Sequence, residues 1–208
     1  MNTPEISARE RILEAADGLF GEVGFDAAAT RRIAELSGVN KALIHYHFKN
    51  KKDLFDRVLD RYYARLGEVL RGSLEGEGAV RHRLRRVLDA YVDFLADNRS
   101  FSRMVQREVS DGRHIERITG HMVPLFQGAA ALIEQAYPAT RGGELSAPQL
   151  LASFYGMVVS YYSYAPVLEG LMGEDPSSPV AVELRKRHLY RMLDLVLDAL
   201  ESEGRSPS

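Results

Sequence analysis

Six basic residues, Arg31, Arg32, Lys41, Lys49, Lys51 and Lys52, fall between Thr30 and Lys52 and are opposed only by Glu35, so these 23 residues carry a local charge of +5. The chain as a whole has a formal charge of -2, so the concentration is local. Cations at this density neutralise phosphates and release their counterions. A solvated charged face would give the same count, and charge alone leaves both readings open. Spacing adds to it. From Asn40 onward, Lys41, Ala42, His45 and Tyr46 recur at helical intervals on the side opposite Ile44 and Phe48. Small Ala42 permits close approach, and the hydrogen-bonding groups sit near the start of a short helix, as in a major-groove reader. Two alternatives stand at this point: His47 closing a turn inside the core, and Tyr46 packing on the first helix.

Positioning such a face requires a small helical scaffold, and the preceding residues supply one. Ser7 and Glu10 form a capping-box pattern. Ile12, Ala15, Ala16, Leu19, Phe20 and Val23 then trace one face of a helix, and Gly24 is placed to end it in a left-handed turn. A short helix follows from Thr30 to about Ser37, with Ile33 and Ala34 inward and Gly38 closing it. The second short helix, about Lys41–Phe48, has Asn40 as its cap. Two short helices joined by a glycine-containing turn make a helix-turn-helix. The next helix runs from Lys51 to about Arg71, with Leu54, Val58, Tyr62, Leu66 and Val69 on its buried side. Beyond a Gly- and Glu-rich loop at Ser73–Gly78, helices are expected at roughly 80–97, 100–110, 114–137, 147–165 and 179–202. Ser146 and Ser178, each followed by proline in the first turn, mark two of the starts. Gly173–Pro179 reads as a loop and Ser202–Ser208 as a frayed tail. The fold class is therefore all-α: an N-terminal three-helix domain carrying the helix-turn-helix, then a helical bundle. The domains are expected at 1–53 and 54–208.

Composition narrows the chemistry. With 45% hydrophobic and 27% charged residues, the chain has the balance of a folded globular protein rather than a disordered one. It has no cysteine, which excludes disulfides, thiol catalysis and cysteine-ligated zinc and suits a reducing cytoplasm. Met1–Arg11 contains no apolar run with a small-residue cleavage site, so no signal peptide is expected. Leu145–Leu168 is free of charge, yet its prolines, serines and tyrosines make it too polar for a span of ~20 apolar residues. It reads as a helix buried in protein. No phosphate-cradling glycine loop, His-Glu-x-x-His or nucleophile elbow occurs, and none of the six histidines pairs with a carboxylate at metal-ligand spacing. Neither an enzyme nor a metal or cofactor site is expected.

The run from Gly24 to Leu54 resembles the DNA-binding region of TetR-family regulators. Gly24-Phe25, Thr30, Ile33-Ala34, Gly38-Val39, Lys41-Ala42, Tyr46-His47-Phe48, Lys51 and Leu54 carry the likeness, over about 30 residues. The resemblance implies that Thr30 and Arg31 lie against a phosphate backbone. It places Asn40, Lys41, Ala42, Leu43 and His45 at the major groove, and Tyr46 and His47 at its phosphate edge. Lys51, at the next helix N-terminus, would clamp a further phosphate. Two positions depart from the family pattern. His45 stands where tyrosine is usual, and its titration near neutrality would make binding pH-sensitive. Ala29 stands where Ser or Thr is usual, which predicts a weaker cap on the following helix.

The same resemblance implies a homodimer formed through the two C-terminal helices, and a small-molecule effector bound among the middle helices. The charge-free helix and the apolar series Val182, Leu189, Met192, Leu193, Val196, Leu197 and Leu200 exceed what one small bundle covers, which agrees with association. An intramolecular core is the alternative. Candidate effector contacts are Phe101, Met104, Met122, Phe126, Phe154, Met157 and Tyr161, with Phe94 beside them. Tyrosine hydroxyls and His121 would add polar handles. Arg103 with Arg107, and Arg113 with Arg117, lie four apart and could meet an anion or stay solvated. The expected function is a cytoplasmic, operator-binding repressor released from double-stranded DNA by a mostly apolar effector, with no membrane partner.

Overall fold

The computed structural model describes residues 7–75, 77–112 and 115–203, and among them the chain forms ten α-helices and no strand. Arg113, His114 and the expected tail beyond 203 lie outside the described residues. The helices divide into two compact units. One takes the described part of Met1–Arg65 with that of Arg99–Arg117, and the other takes Leu66–Asn98 with the described part of Ile118–Ser208.

The first unit opens with α1 (Ala8–Ala27), whose cap is the expected one: Ser7 Oγ accepts the Glu10 N–H at 3.2 Å. Ile12, Ala16, Leu19 and Phe20 are buried, as the periodicity predicts, Ala15 is half-buried, Leu13 is buried beside them, but Val23 is 41% exposed. The glycine that follows explains the departure. Gly24 has φ 81° and ψ 173°, an extended rather than helical left-handed conformation, and this kink swings Val23 off the apolar stripe before one more turn ends at Ala27. Two short helices follow, α2 (Thr30–Ser37) and α3 (Lys41–His47). Between them Gly38 takes φ 65° and ψ 29°, the left-handed cap. Ala29 occupies the cap position of α2 without a side-chain hydrogen bond, as an alanine must. Ile33, Ile44 and Phe48 are buried, as are Leu54, Phe55, Val58 and Leu59 in the first half of α4 (Lys51–Leu74). Phe55 sits edge-on to Phe20 at 5.0 Å and to Phe25 at 5.2 Å between ring centroids.

One further helix of this unit, α6 (Arg99–Asp111), comes from later in the chain and packs along α1. The approach is close because Gly21 has no side chain: a Cβ there would stand 2.6 Å from Ser100 Cβ and Oγ. Arg103 Nε donates to the Gly21 carbonyl at 3.0 Å, and Arg107 Nη2 donates to that of Glu22 at 3.2 Å. These two cations tie α6 to α1 just ahead of the Gly24 kink.

The second unit contains the rest of α4, α5 (Val80–Asp97), most of α7 (Ile115–Ala136), a 3-10 turn at Pro138–Arg141, α8 (Ala147–Ser163), α9 (Ala165–Met172) and α10 (Pro179–Glu203). Its spine is α5 against α10, with Leu88, Val92 and Leu95 facing Leu189, Leu193 and Leu197. Arg81 reaches Asp194 at 3.2 Å, Asp198 at 2.7 Å and Glu201 at 3.0 Å, and Arg85 shares Asp194. Ser178 caps α10 by accepting the Ala181 N–H, whereas Ser146 precedes α8 without a side-chain cap.

Three expectations need correction here. Val69 is 41% exposed rather than inward, because the covered side of α4 continues from Leu66 to Leu70, one residue further on. The charge-free segment is two helices, and α8 is covered on one side only: Ala147, Val158 and Tyr161 are buried, while Ala152, Ser153, Gly156 and Ser160 are exposed. On α10, Leu189, Leu193, Leu197 and Leu200 belong to the chain's own core, and the outward apolar residues are Val180, Leu184 and Leu195. No helix among the described residues is long and apolar enough to cross a membrane.

Candidate nucleic-acid interface

The outward side of α3 carries the chemistry. Asn40 caps the helix, its Oδ1 accepting the Ala42 N–H at 3.0 Å. Ile44 and Phe48 anchor the helix from beneath, each 2% exposed. With those two fixed inward, helical geometry turns Lys41, Ala42, His45 and Tyr46 outward, and all four are exposed. Tyr46 is 81% exposed, so it does not pack on α1. Leu43 and His47 are half-buried at the flanks, and the Tyr46 and His47 rings meet edge-on at 5.1 Å.

Around this face the cations are held in different ways. Thr30 is half-buried at the start of α2. Arg31 and Arg32 both bond Glu35, each at 3.2 Å, and those guanidinium contacts hold the Glu35 carboxyl below its usual range, Arg32 contributing first. The three side chains are solvent-exposed, so the pairs are weak and yield to a stronger anion. Lys51 is engaged inside the unit: its ammonium donates to the carbonyls of Phe25 at 2.8 Å and Asp26 at 3.1 Å and lies 4.6 Å from the centre of the Phe25 ring. It locks the start of α4 to the end of α1, which leaves one of its three N–H groups for a phosphate. Asn50 Oδ1 accepts the Asp53 N–H at 2.8 Å while Asp53 accepts the Lys49 N–H at 3.1 Å, so the first turn of α4 has a reciprocal cap. Lys52 pairs with Asp56 at 2.9 Å.

One cation escaped the sequence reading. Arg9, on the first turn of α1, stands 5.7 Å from the centre of the Phe48 ring and so adds a guanidinium beside the C-terminal end of α3. Nothing in local spacing brings residues 9 and 48 together; only the packing of α1 on α3 does.

The second unit holds an apolar cavity of about 110 Å3, partly open to solvent, among α4, α5, α7 and α8. Met122, Phe126 and Phe154, three of the expected effector contacts, line it together with Leu66, Leu70, Val87, Leu88, Tyr91, Leu125, Ala129, Leu151, Tyr155 and Val158. Tyr155 stands edge-on to Phe126 at 5.4 Å and parallel to Tyr91 at 6.2 Å, and burial pushes its hydroxyl pKa up. The other expected contacts lie elsewhere. Phe101 and Met104 are buried in the first unit, Phe101 stacked on Tyr62 at 4.9 Å. Phe94 is buried on α5 outside the cavity lining. Met157 and Tyr161 face Arg185, which donates to the Met157 carbonyl and lies 4.8 Å from the centre of the Tyr161 ring. Arg103 and Arg107 are occupied by α1 carbonyls, and Arg117 bonds Asp60.

Comparison with known proteins agrees with this geometry. Residues 12–58 match the model of the bacterial regulatory proteins of the tetR family. The chain is 26% identical over 197 residues to the class A tetracycline repressor protein of transposon 1721 from Escherichia coli, covering 93% of this chain and 81% of that protein. It is 31% identical over 102 residues to the transcriptional activator FasR of Mycolicibacterium smegmatis, a match that spans 49% of this chain and under half of FasR, 47%. Among solved structures, the fold is similar to that of FadR from Bacillus subtilis in complex with stearoyl-CoA, with a TM-score of 0.70, 16% identity, and coverage of 88% of this chain and 96% of that one. The family match lies on the helices around the exposed face and, with the whole-chain similarity to a tetracycline repressor, points to a regulator rather than an enzyme: residues 12–58 are a helix-turn-helix DNA-binding region of the tetR type.

Proposed function

We propose that this regulator binds a double-stranded operator through α3 as a homodimer and is a repressor released by a small, mostly apolar effector. The observation that carries the DNA reading is the outward set Lys41, Ala42, His45 and Tyr46 on a helix anchored by buried Ile44 and Phe48. Lys41, Ala42, Leu43 and His45 enter the major groove, with Asn40 holding the helix start. Thr30, Arg31, Tyr46, His47 and the remaining N–H of Lys51 meet the flanking phosphates. Residues 1–53 are assigned to DNA binding and 54–208 to effector binding and dimerisation, in the cytoplasm where an operator is accessible. The effector is assigned to the cavity containing Met122, Phe126 and Phe154. The dimer is assigned to the two C-terminal helices, α8 through Ser153, Gly156 and Ser160 and α10 through its outward apolar residues, with the exposed side of α9 beside them. Release follows if the effector prefers a dimer whose α3 helices no longer span successive major grooves, ~34–36 Å apart.

A gel shift with DNA flanking the protein's own gene, across a salt series, tests the reading. Binding that strengthens as salt falls, and competes poorly with unrelated DNA, is expected. Absence of binding at low salt without effector would overturn it.

A further inference from the structure

The main cavity has a neighbour. An open groove of about 220 Å3 lies at the surface between α7 and α8, bounded by Val123, Gln127, Ala130, Pro148 and Ala152, of which only Ala130 is not exposed. Phe126 and Leu151 line both the cavity and the groove, so these two side chains form the partition between them. The first compartment, at about 110 Å3, is smaller than the ~150 Å3 cavity that holds a benzene ring. A drug-sized effector needs more room than it offers. None of the side chains lining either compartment is charged, and the polar groups among them are the Tyr91 and Tyr155 hydroxyls in the first and the Gln127 amide in the second. An ion inside such walls would lose its hydration without a counter-charge.

The partition stands on a weakened stretch of helix. Pro124, two residues before Phe126, lies inside α7 and has no N–H to give to the Gly120 carbonyl, and Gly120 and Gly128 flank it. Phe126 is half-buried and stands edge-on to Tyr155. Moving its ring aside joins the compartments.

We infer that the cavity and the groove are halves of one site for an elongated, uncharged amphiphile, which passes Phe126 with its apolar end against Tyr91 and Tyr155 and its neutral polar head at Gln127. This rests on the effector reading proposed above, and it adds the ligand's shape, its charge and the polar contact. Length comes from the second compartment, neutrality from the uncharged lining, and orientation from the position of Gln127 at the exposed end.

Calorimetric titration of the full-length protein with 1-hexanol, 1-octanol, 1-decanol and decanoate tests it. Affinity is expected to rise about fourfold per added CH2 through 1-decanol, since each newly buried methylene contributes alike. Decanoate is expected to bind at least tenfold more weakly than 1-decanol. Gln127→Leu, at an exposed position that does not threaten folding, should weaken 1-decanol two- to tenfold, the worth of one hydrogen bond. Phe126→Leu should strengthen 1-decanol relative to 1-hexanol. Affinity that levels off at 1-hexanol, equal binding of decanoate, or indifference to Gln127→Leu would each overturn the assignment. Failure of the function itself is seen separately in the gel shift. If 1-decanol binds in this pattern but leaves DNA binding unchanged, the two-compartment site stands and release by this class of effector does not.

Discussion

Lys41 is exposed at the start of α3 and sits in the first turn, where a cation gains nothing from its own helix dipole, so its place is better explained by an external anion. If it meets a phosphate, Lys41→Ala should weaken operator binding on all sequences alike and lower the salt slope by ~0.9 for each phosphate lost. If it reads guanine, one base pair should lose discrimination instead, at ~1–3 kcal/mol. A salt series on the operator and on single-base variants distinguishes the two, and no change in either would remove α3 from the groove. A second residue-level effect lies beneath this surface. Tyr62 donates to Asp17 at 2.6–2.7 Å across the α1–α4 contact. Burial raises the Asp17 pKa, while the Tyr62 hydrogen bond and the nearby Arg61 and Arg65 pull it down less strongly. A carboxyl whose pKa is higher folded than unfolded binds more protons in the folded state. Its contribution is therefore most favourable below the unfolded value and declines as pH rises through the interval up to the folded value. Asp17→Asn, which keeps an acceptor for Tyr62 and removes the titration, should gain on wild type in thermal melts as pH rises above the ordinary aspartate value. A difference in Tm that does not change with pH in the acidic range would show that the Asp17 pKa is not raised by folding.

Between helices, the contact most sensitive to substitution is that of α1 with α6. Gly21→Ala would place a methyl 2.6 Å from Ser100 Cβ and Oγ and 3.0 Å from its Cα, so the helices must separate. Overpacking of this kind costs typically ~1–3 kcal/mol. Separation would also stretch the Arg103 and Arg107 bonds to the α1 carbonyls. Denaturant unfolding of Gly21→Ala, and of Gly21→Ala with Ser100→Gly, checks this: the second change should restore part of the loss, and equal losses in both would place the strain elsewhere. This contact also shows what a sequence read alone can and cannot reach. The helix-turn-helix is local: Gly38, Asn40 and the Ile44–Phe48 spacing act within a few residues, and the structure places the turn and the outward face where those signals put them. Periodicity says which side of a helix is apolar, not what covers it. Phe101 and Met104 looked equivalent to Met122 and Phe126, yet the first two complete the core of one unit and the other two line the cavity of the other. Leu66, Leu70, Tyr91, Leu151 and Tyr155 come to that cavity from three helices, and only tertiary packing selects them. The α9 helix went unread because Pro166, Gly170 and Gly173 crowd an eight-residue segment.

In the proposed dimer, pairing decides whether two copies of α3 can act on one operator, and the outward residues assigned to it are separable from those of the fold. On α10 the inward series Leu189, Leu193, Leu197 and Leu200 is buried within the chain, whereas Val180, Leu184 and Leu195 face out, Leu184 being 54% exposed. On α9, Val167 and Leu171 face out as well, Leu171 at 78%. The exposed strip of α8 away from the groove, Ser153, Gly156 and Ser160, is made of small residues that allow a partner helix to approach closely. A two-fold interface repeats each patch on both subunits, so one unfavourable substitution is felt twice. Leu184→Glu sets two carboxylates into such an interface and leaves the chain's own core untouched. It should give a monomer by sedimentation at micromolar concentration, with unchanged helical circular dichroism. Binding to a full operator should fall steeply, because a lone subunit reaches one half-site only. Leu189→Ala is the contrasting case. It opens a cavity in the core and should lower stability by ~2–5 kcal/mol while leaving the folded protein dimeric. A Leu184→Glu protein that stays dimeric, or a monomer that still binds the full operator as tightly as wild type, would show that the outward face of α10 does not pair the subunits.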